Sequence, residues 1–469
     1  MQRRVRLFSL HALWIGLAIA PCARAITRYV ALSGASIPPY TNWAMAAATI
    51  QTALDASQDG DTILVSNGVY STGSRVTPGA ILPNRVVITN NVILQSLNGP
   101  TNTVIAGDRG TPVRCVYASG NAAIIGFTLT NGTARATGSD KDTWGGGLFF
   151  NGASDGLVSN CIVSGNFALN GQGGGISLYN ANVCVCDCVI DGNSADGGGG
   201  MRLQAGLPTL RNLVLTHNES DGGGGAIHYY HASGTARNLL IAGNSSITQG
   251  GGLYFDGSDA ELDSVTIAAN SAPSGYGGGV MVSYDSSPSL HNCILWDNTT
   301  EQIAFNPEWY DIEITLSYSD VQGGEAGIVT HGVGPVNWLA GNTNINPLFE
   351  ADGSYRLQNL SPCVDVGENM AWMPDATDLA HNPRIVNGLV DMGAFEYGVD
   401  RDISIRVSAV DVVWFGYVGE TYQVQGAMSL LNPVWENIGS PVAGTGAYMY
   451  VMDVTRDTGH RYYRVIEAP

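Results

Sequence analysis

The sequence predicts an all-β solenoid, a parallel β-helix followed by a small second β-domain. Three observations point to it. Asparagine recurs at Asn166, Asn193, Asn218, Asn244, Asn270 and Asn298, in steps of 27, 25, 26, 26 and 28 residues. Glycine clusters recur in phase, at 145–147, 173–175, 197–200, 222–225, 250–252 and 277–279. Short aliphatic runs flank both: CIVSGN, CVIDGN and LVLTHN end on the asparagines, and GISLYN, AIHYYH and GLYFD follow the glycines. Each unit therefore holds at least two short strands and no helical period. Such strands cannot bury a face alone. Identical coils stacked about 4.8 Å apart bury one continuous core.

Taken in order, residues 1–25 read as a signal peptide. Arg3, Arg4 and Arg6 precede the apolar run LFSLHALWIGLAIA, and Ala23-Arg24-Ala25 supplies a small-x-small cleavage site after Ala25. The mature chain is expected outside the cell, secreted or at the cell surface. No later segment is apolar enough for a span, so the protein is not membrane-spanning. Cleavage removes four arginines, taking basic residues from 21 to 17 against 40 acidic ones and the net charge from −19 to −23. Such a chain repels nucleic acid and anionic lipid, and no nucleic-acid partner is expected. It is expected to act as a monomer.

Residues 26–60 form a predicted N-terminal cap: a strand at RYVALSGAS, then an amphipathic helix over NWAMAAATIQTALDAS with Ile50, Ala53 and Leu54 as its apolar stripe. Residues 61–398 are the solenoid and its closing segment. Its glycines make a sharp corner that every coil must repeat. Its asparagines stack at a second corner, each amide bonding to the next coil. Cys161, Cys188 and Cys293 share a slot that Leu213, Leu239 and Val265 fill in other coils, so it points inward. Alternation puts Cys184, Cys186 and Cys188 on one face. The row Ile162, Val189, Val214, Leu240, Thr266 and Ile294 faces outward, and is either a partner surface or covered by a loop or the C-terminal domain. Residues 401–469 read as a separate β-sandwich, with Trp414, Tyr422, Trp435 and Tyr463 as core rather than sugar-binding residues.

The pattern YV…G…W…A..TIQ.ALD….GDTILV..GVY resembles the N-terminal cap of secreted bacterial right-handed parallel β-helix proteins of the pectate-lyase-like superfamily. NPLFEADGSYRLQNLSPCVDVG (346–367) and NPRIVNGLVDMGAFEYG (382–398) resemble the closing segment of a group with varied C-terminal anchors. The resemblance covers roughly residues 26–398 and implies a right-handed coil, as the rule for parallel crossovers also does. It implies fold and export, not an activity.

The residues after each glycine corner carry the chemistry. The first and third are bulky and apolar and point inward. The second and fourth alternate outward, placing Tyr179, then Arg202 and Gln204, His228 and Tyr230, and Tyr254 and Asp256 on neighbouring coils. Aromatic faces beside Arg, Gln and Asp suit a sugar chain, and the expected partner is an extracellular polysaccharide. For lyase-like cleavage, His228 or Tyr230 is the base and Arg202 neutralises a uronate carboxylate. Hydrolysis is less well supplied, because Asp256 is the only acid in the two columns. A longer first coil adds Lys141, between Asp140 and Asp142, and Trp144, read as a solvated loop. No motif requires a cofactor. Calcium is the one ion this loop leaves open, and no RTX-type repeat is present. The rival reading is a cell-surface adhesin or structural spacer: Phe167–Asn170 before GGGI, and GGAI at 224–227, resemble repeats of polymorphic outer-membrane adhesins.

Overall fold

The computed structural model describes residues 25–153, 155–309, 311–398, 409–429, 433–454 and 462–468. Residues 1–24, all but the last of the expected signal peptide 1–25, lie outside them. The chain forms two compact units that divide between Tyr397 and Gly398.

The first unit is a parallel β-solenoid of about ten turns. One sheet runs its full length, and a second passes through the strands that follow the glycine corners. A short third sheet joins Phe167–Gln172, Ser194–Gly197, Glu219–Gly223 and Ser245–Ser246. One apolar core fills the coil from Val30 to Ile328. Cys161, Cys188 and Cys293 lie within it, as their slot predicts.

Two polar devices set the corners. Asn166, Asn193, Asn218, Asn244, Asn270 and Asn298 form a continuous buried ladder. Each Nδ2 donates to the Oδ1 of the next asparagine at 2.9–3.0 Å until Asn298, which donates to Gln302 Oε1 at 2.6 Å. The other corner is glycine because Gly145, Gly173, Gly198, Gly224, Gly250 and Gly277 all hold φ between +60° and +68°. The next glycine of each cluster has no room either: a Cβ on Gly199 would stand 2.2 Å from the Glu219 carbonyl oxygen. The third position is tight as well, since a Cβ on Gly200 would stand 2.6 Å from the Ala226 carbonyl oxygen, although the next coil carries Ala226 there, fully buried. Gly200→Ala is therefore expected to cost about 1–3 kcal/mol, read as a urea midpoint. No loss would show that the Gly200 coil shifts as readily as the coil that holds Ala226.

The long strands bend once, and this corrects the cysteine pattern. Asp187, Asn212, Asn238, Ser264 and Asn292 occupy one column at left-handed φ of 50° to 59°. Short polar side chains tolerate that region best. The bend resets the alternation: Val185 and Cys188 both enter the core, whereas Cys184 and Cys186 do not. The three cysteines do not share a face.

The predicted cap helix is shorter than expected. Trp43–Met45 is a 3-10 turn, and Ala47 pairs with Val30 beside the strand Thr27–Val30, itself paired in parallel with Thr62–Val65. Those pairings consume the backbone of residues 46–48, so the α-helix spans only Ile50–Asp55. Thr49 caps it, and Ile50, Ala53 and Leu54 are buried.

The closing segment covers much of the outward row. Ala394 and Phe395 pack on Leu240, and Leu357, Cys363 and Met392 pack on Ile294. Ala394 N donates to Thr266 Oγ1 at 3.0 Å. Val189 remains 38% exposed.

The second unit holds a two-stranded antiparallel sheet, Ala409–Gly416 with Ala447–Val454. Its three-stranded sheet contains Thr421–Ala427, Glu436–Ala443 and Tyr462–Glu467. Tyr422 is buried, its ring centroid 6.0 Å from that of Trp414.

Candidate functional site

Six strands in register present the predicted row: β1 (Leu148–Asn151), β2 (Ile176–Tyr179), β3 (Met201–Gly206), β4 (Ile227–Ala232), β5 (Leu253–Asp256) and β6 (Val280–Ser283). Arg202 pairs with His228 and His228 with Tyr254. Gln204, Tyr230 and Asp256 form the adjacent column. The structure thus brings six of the predicted residues into one contact network. The Arg202 guanidinium lies against the His228 ring, Nη1 meeting Nδ1 closely and Nε2 at 3.1 Å. It also stands 4.4 Å from the Tyr230 ring centroid and donates to Gln204 Oε1 at 3.4 Å. The His228 and Tyr254 rings are 4.5 Å apart, and Asp256 Oδ2 is 3.9 Å from His228 Nε2.

This cluster is not the open surface that alternation implies. Arg202, His228 and Tyr254 point away from the core yet are 6–8% exposed. The short third sheet ends directly over them. A Cβ on Gly197 would meet His228 Nδ1 at 3.3 Å, and one on Gly223 would meet Tyr254 Cδ1 at 2.5 Å. Glycine at both points lets the backbone cover the rings. Burial, then the Arg202 charge, push the His228 imidazole down to about 3, so it is neutral in the folded protein at ordinary pH. Burial lowers Arg202 to about 10 and raises the Tyr254 phenol to about 12. Tyr179, Gln204, Tyr230 and Asp256 are half-buried and form the accessible edge.

Trp144 and Lys141 sit on the first of these coils. The Trp144 ring packs edge-on against Tyr179 at 5.6 Å and Phe149 at 6.2 Å, which extends the aromatic edge. Lys141 Nζ donates to the Pro78 carbonyl at 3.2 Å, away from Arg202. The solvated-loop reading of this insertion is corrected. Asp140–Thr143 is a helical turn with a Ser139–Asp142 capping box. Asp142 Oδ1 accepts from the backbone of Ile81 and Leu82, both at 2.8 Å. Fully buried Arg114 pins the turn through the Lys141 and Trp144 carbonyls.

Sequence reading missed a second constellation on the long sheet. Its bend divides each strand, and the half before the bend shows two outward columns. One runs Cys184, Thr209, Thr235, Glu261, Ser289, Thr315. The other runs Cys186, Arg211, Arg237, Asp263, His291, Ser317. The closing segment adds Met370 and Trp372, and with the columns from Thr235 to Thr315 and from Arg237 to Ser317 they line a cleft of about 280 Å³. Trp372 Nε1 donates to Asp263 Oδ2 at 2.8 Å, and the Arg237 guanidinium lies 5.1 Å from the Trp372 ring. Asn292 and Ser264 also donate to Asp263. His291 Nδ1 meets Ser317 Oγ at 2.6 Å, and Nε2 is 3.4 Å from Glu368 Oε2. The alternation in TARN, ELDS and SLHN was the available signal. Trp372 was not, because it lies 109 residues from Asp263.

Among the described residues, no three His, Cys, Asp or Glu side chains converge as a metal site. No described helix is long and apolar enough to cross a membrane.

No family model and no curated protein matches the chain. Among solved structures, the crystal structure of pectate lyase Pel9A is similar at a TM-score of 0.46 and 12% identity, over 79% of this chain and 96% of that one.

Proposed function

We propose that this is an exported β-solenoid that recognises an extracellular polysaccharide, with the sugar chain lying in the cleft between the long sheet and the closing segment. The cleft carries the reading. It combines an indole with a guanidinium, carboxylates, an imidazole and hydroxyls, held at the 4.8 Å pitch of the coils. Aromatic faces with a few fixed polar groups are what bind and orient a sugar, and a repeating column suits a repeating ligand. Export rests on the basic-apolar-small pattern of residues 1–25.

The test is calorimetric titration and pull-down with a panel of neutral and acidic polysaccharides, with and without calcium. Trp372→Ala is expected to weaken binding at least about tenfold, roughly 1.4 kcal/mol. It removes the ring, the Asp263 anchor and the Arg237 stack together. Unchanged affinity in this variant would move the ligand out of the cleft.

Lyase-like cleavage is a second reading. It is favoured by Tyr230, a half-buried phenol beneath the Arg202 guanidinium. Unsaturated uronide absorbance that disappears in Tyr230→Phe would make the protein a lyase. Reducing ends without that absorbance would instead point to hydrolysis at Glu261 and Asp263. Absence of both binding and product leaves an adhesin or structural spacer.

A further inference from the structure

Cys184 and Cys186 head the two outward columns, one coil before Thr209 and Arg211. Of the seven cysteines in the described residues, five others lie buried away from this face, and Cys184 alone is half-exposed. They stand two positions apart on one strand, and both lie outside the core. Arg211 Nη2 stands 3.7 Å from Cys186 Sγ, placing a positive charge over the pair. Cys186 is closed off at 1% exposure, so approach is from the Cys184 side.

This geometry decides between two kinds of thiol chemistry. Same-face residues two apart on an extended strand have Cα atoms about 6.6 Å apart, near the upper limit for a disulfide. A bridging metal relaxes that limit, because two metal–sulfur bonds of about 2.3 Å span more than one S–S bond. Zinc requires four ligands; the neighbours in register are Leu157, Ser159, Thr209 and Arg211, and among the described residues no third His, Cys, Asp or Glu converges with the two thiols. Soft thiolates with no further ligand select a monovalent d10 cation such as Cu(I). Two thiolates and one such cation leave a net charge of minus one, which Arg211 opposes directly.

We propose that Cys184 and Cys186 form a two-coordinate site for Cu(I) on the outer face of the long sheet, with Arg211 as its counter-charge. Binding replaces the two thiol protons, which pass to solvent, and no oxidation is involved. The site is separate from the polysaccharide reading and stands or falls without it.

The test titrates the full chain, reduced and under anaerobic conditions, with Cu(I) supplied as its acetonitrile complex against the chromogenic chelator bicinchoninate. One copper per chain is expected, with thiolate-to-copper charge-transfer absorption in the near ultraviolet. Cys184→Ser and Cys186→Ser should each weaken uptake at least about a hundredfold, and Arg211→Met about tenfold. Cys293→Val should leave uptake unchanged, since Val265 fills the same core slot in the preceding coil. Circular dichroism checks that each variant keeps its fold. No uptake by the folded parent chain, or uptake unaltered in folded Cys184→Ser, would overturn the proposal.

Discussion

Replacing Asn218 by alanine is expected to cost about 4 kcal/mol of stability, the largest effect of any single truncation considered for this fold. The residue is fully buried. Its Nδ2 donates to the Ile190 carbonyl at 2.8 Å and to Asn244 Oδ1 at 2.9 Å. Its Oδ1 accepts from the backbone N–H and Nδ2 of Asn193, at 3.1 and 3.0 Å. Alanine removes all four bonds. It strands the Asn193 donors and the Ile190 carbonyl where water does not reach, and each stranded group costs about 1–3 kcal/mol. Asn212→Ala is the comparison. That side chain donates to Asp187 Oδ1 at 2.8 Å, but on the outside of the coil, where water can replace it. Its cost should be about 1–2 kcal/mol, including the left-handed backbone that alanine tolerates poorly. Urea midpoints of the two variants check the ordering. Equal losses would mean that the inner ladder is no drier than the outer one.

His228 should make the folded protein acid-sensitive. In an unfolded chain the imidazole titrates near its ordinary value of 6.5, whereas burial and the Arg202 charge hold it near 3 in the fold. Between those values the unfolded chain binds a proton that the folded chain refuses. The contribution of His228 is therefore complete above pH 6.5 and is lost progressively as the pH falls toward 3, by up to about 1.4 kcal/mol per unit. The other charges packed around the ring are Arg202, which opposes protonation, and Asp256, which favours it from 3.9 Å. His228→Gln keeps a polar side chain and removes the titration. Its stability should fall distinctly less than that of the parent between pH 7 and pH 4.5, measured by urea unfolding at both. Identical falls would place the imidazole in contact with water. The same burial bears on chemistry: a nitrogen that resists protonation above pH 3 is a weak base. That shifts the lyase reading from His228 toward Tyr230.

Much of the coil was legible because its rules are local and repeat. The glycine corner follows from a backbone region other residues rarely enter, and each glycine cluster announces it. The asparagine ladder follows from an amide that can donate and accept at once, repeated at the coil period. The inward columns follow from bulk: Leu148, Ile176, Met201, Ile227, Leu253 and Val280 all lie in the main core. The bend in the long strands was also written in the sequence, as Asp187, Asn212, Asn238, Ser264 and Asn292. Their spacing was overshadowed by the larger asparagine series. Missing it put Cys184 and Cys186 on the face of Cys188 and concealed the column from Arg211 to Ser317.

The sequence by itself determined which residues turn, which stack and which face inward, because a solenoid repeats the same nearest-neighbour interactions along its length. Only the tertiary structure decided what covers the outside of the coil. Whether Arg202 and His228 meet solvent depends on backbone passing over them at Gly197 and Gly223. Whether the outward row is a surface or an interior depends on a closing segment that returns across it, bringing Ala394 to Thr266 from 128 positions away. Trp372 reaches Asp263 in the same way. Periodicity carries no information about such contacts, since they are made once, between segments that share no repeat. The cleft therefore exists only in the folded chain.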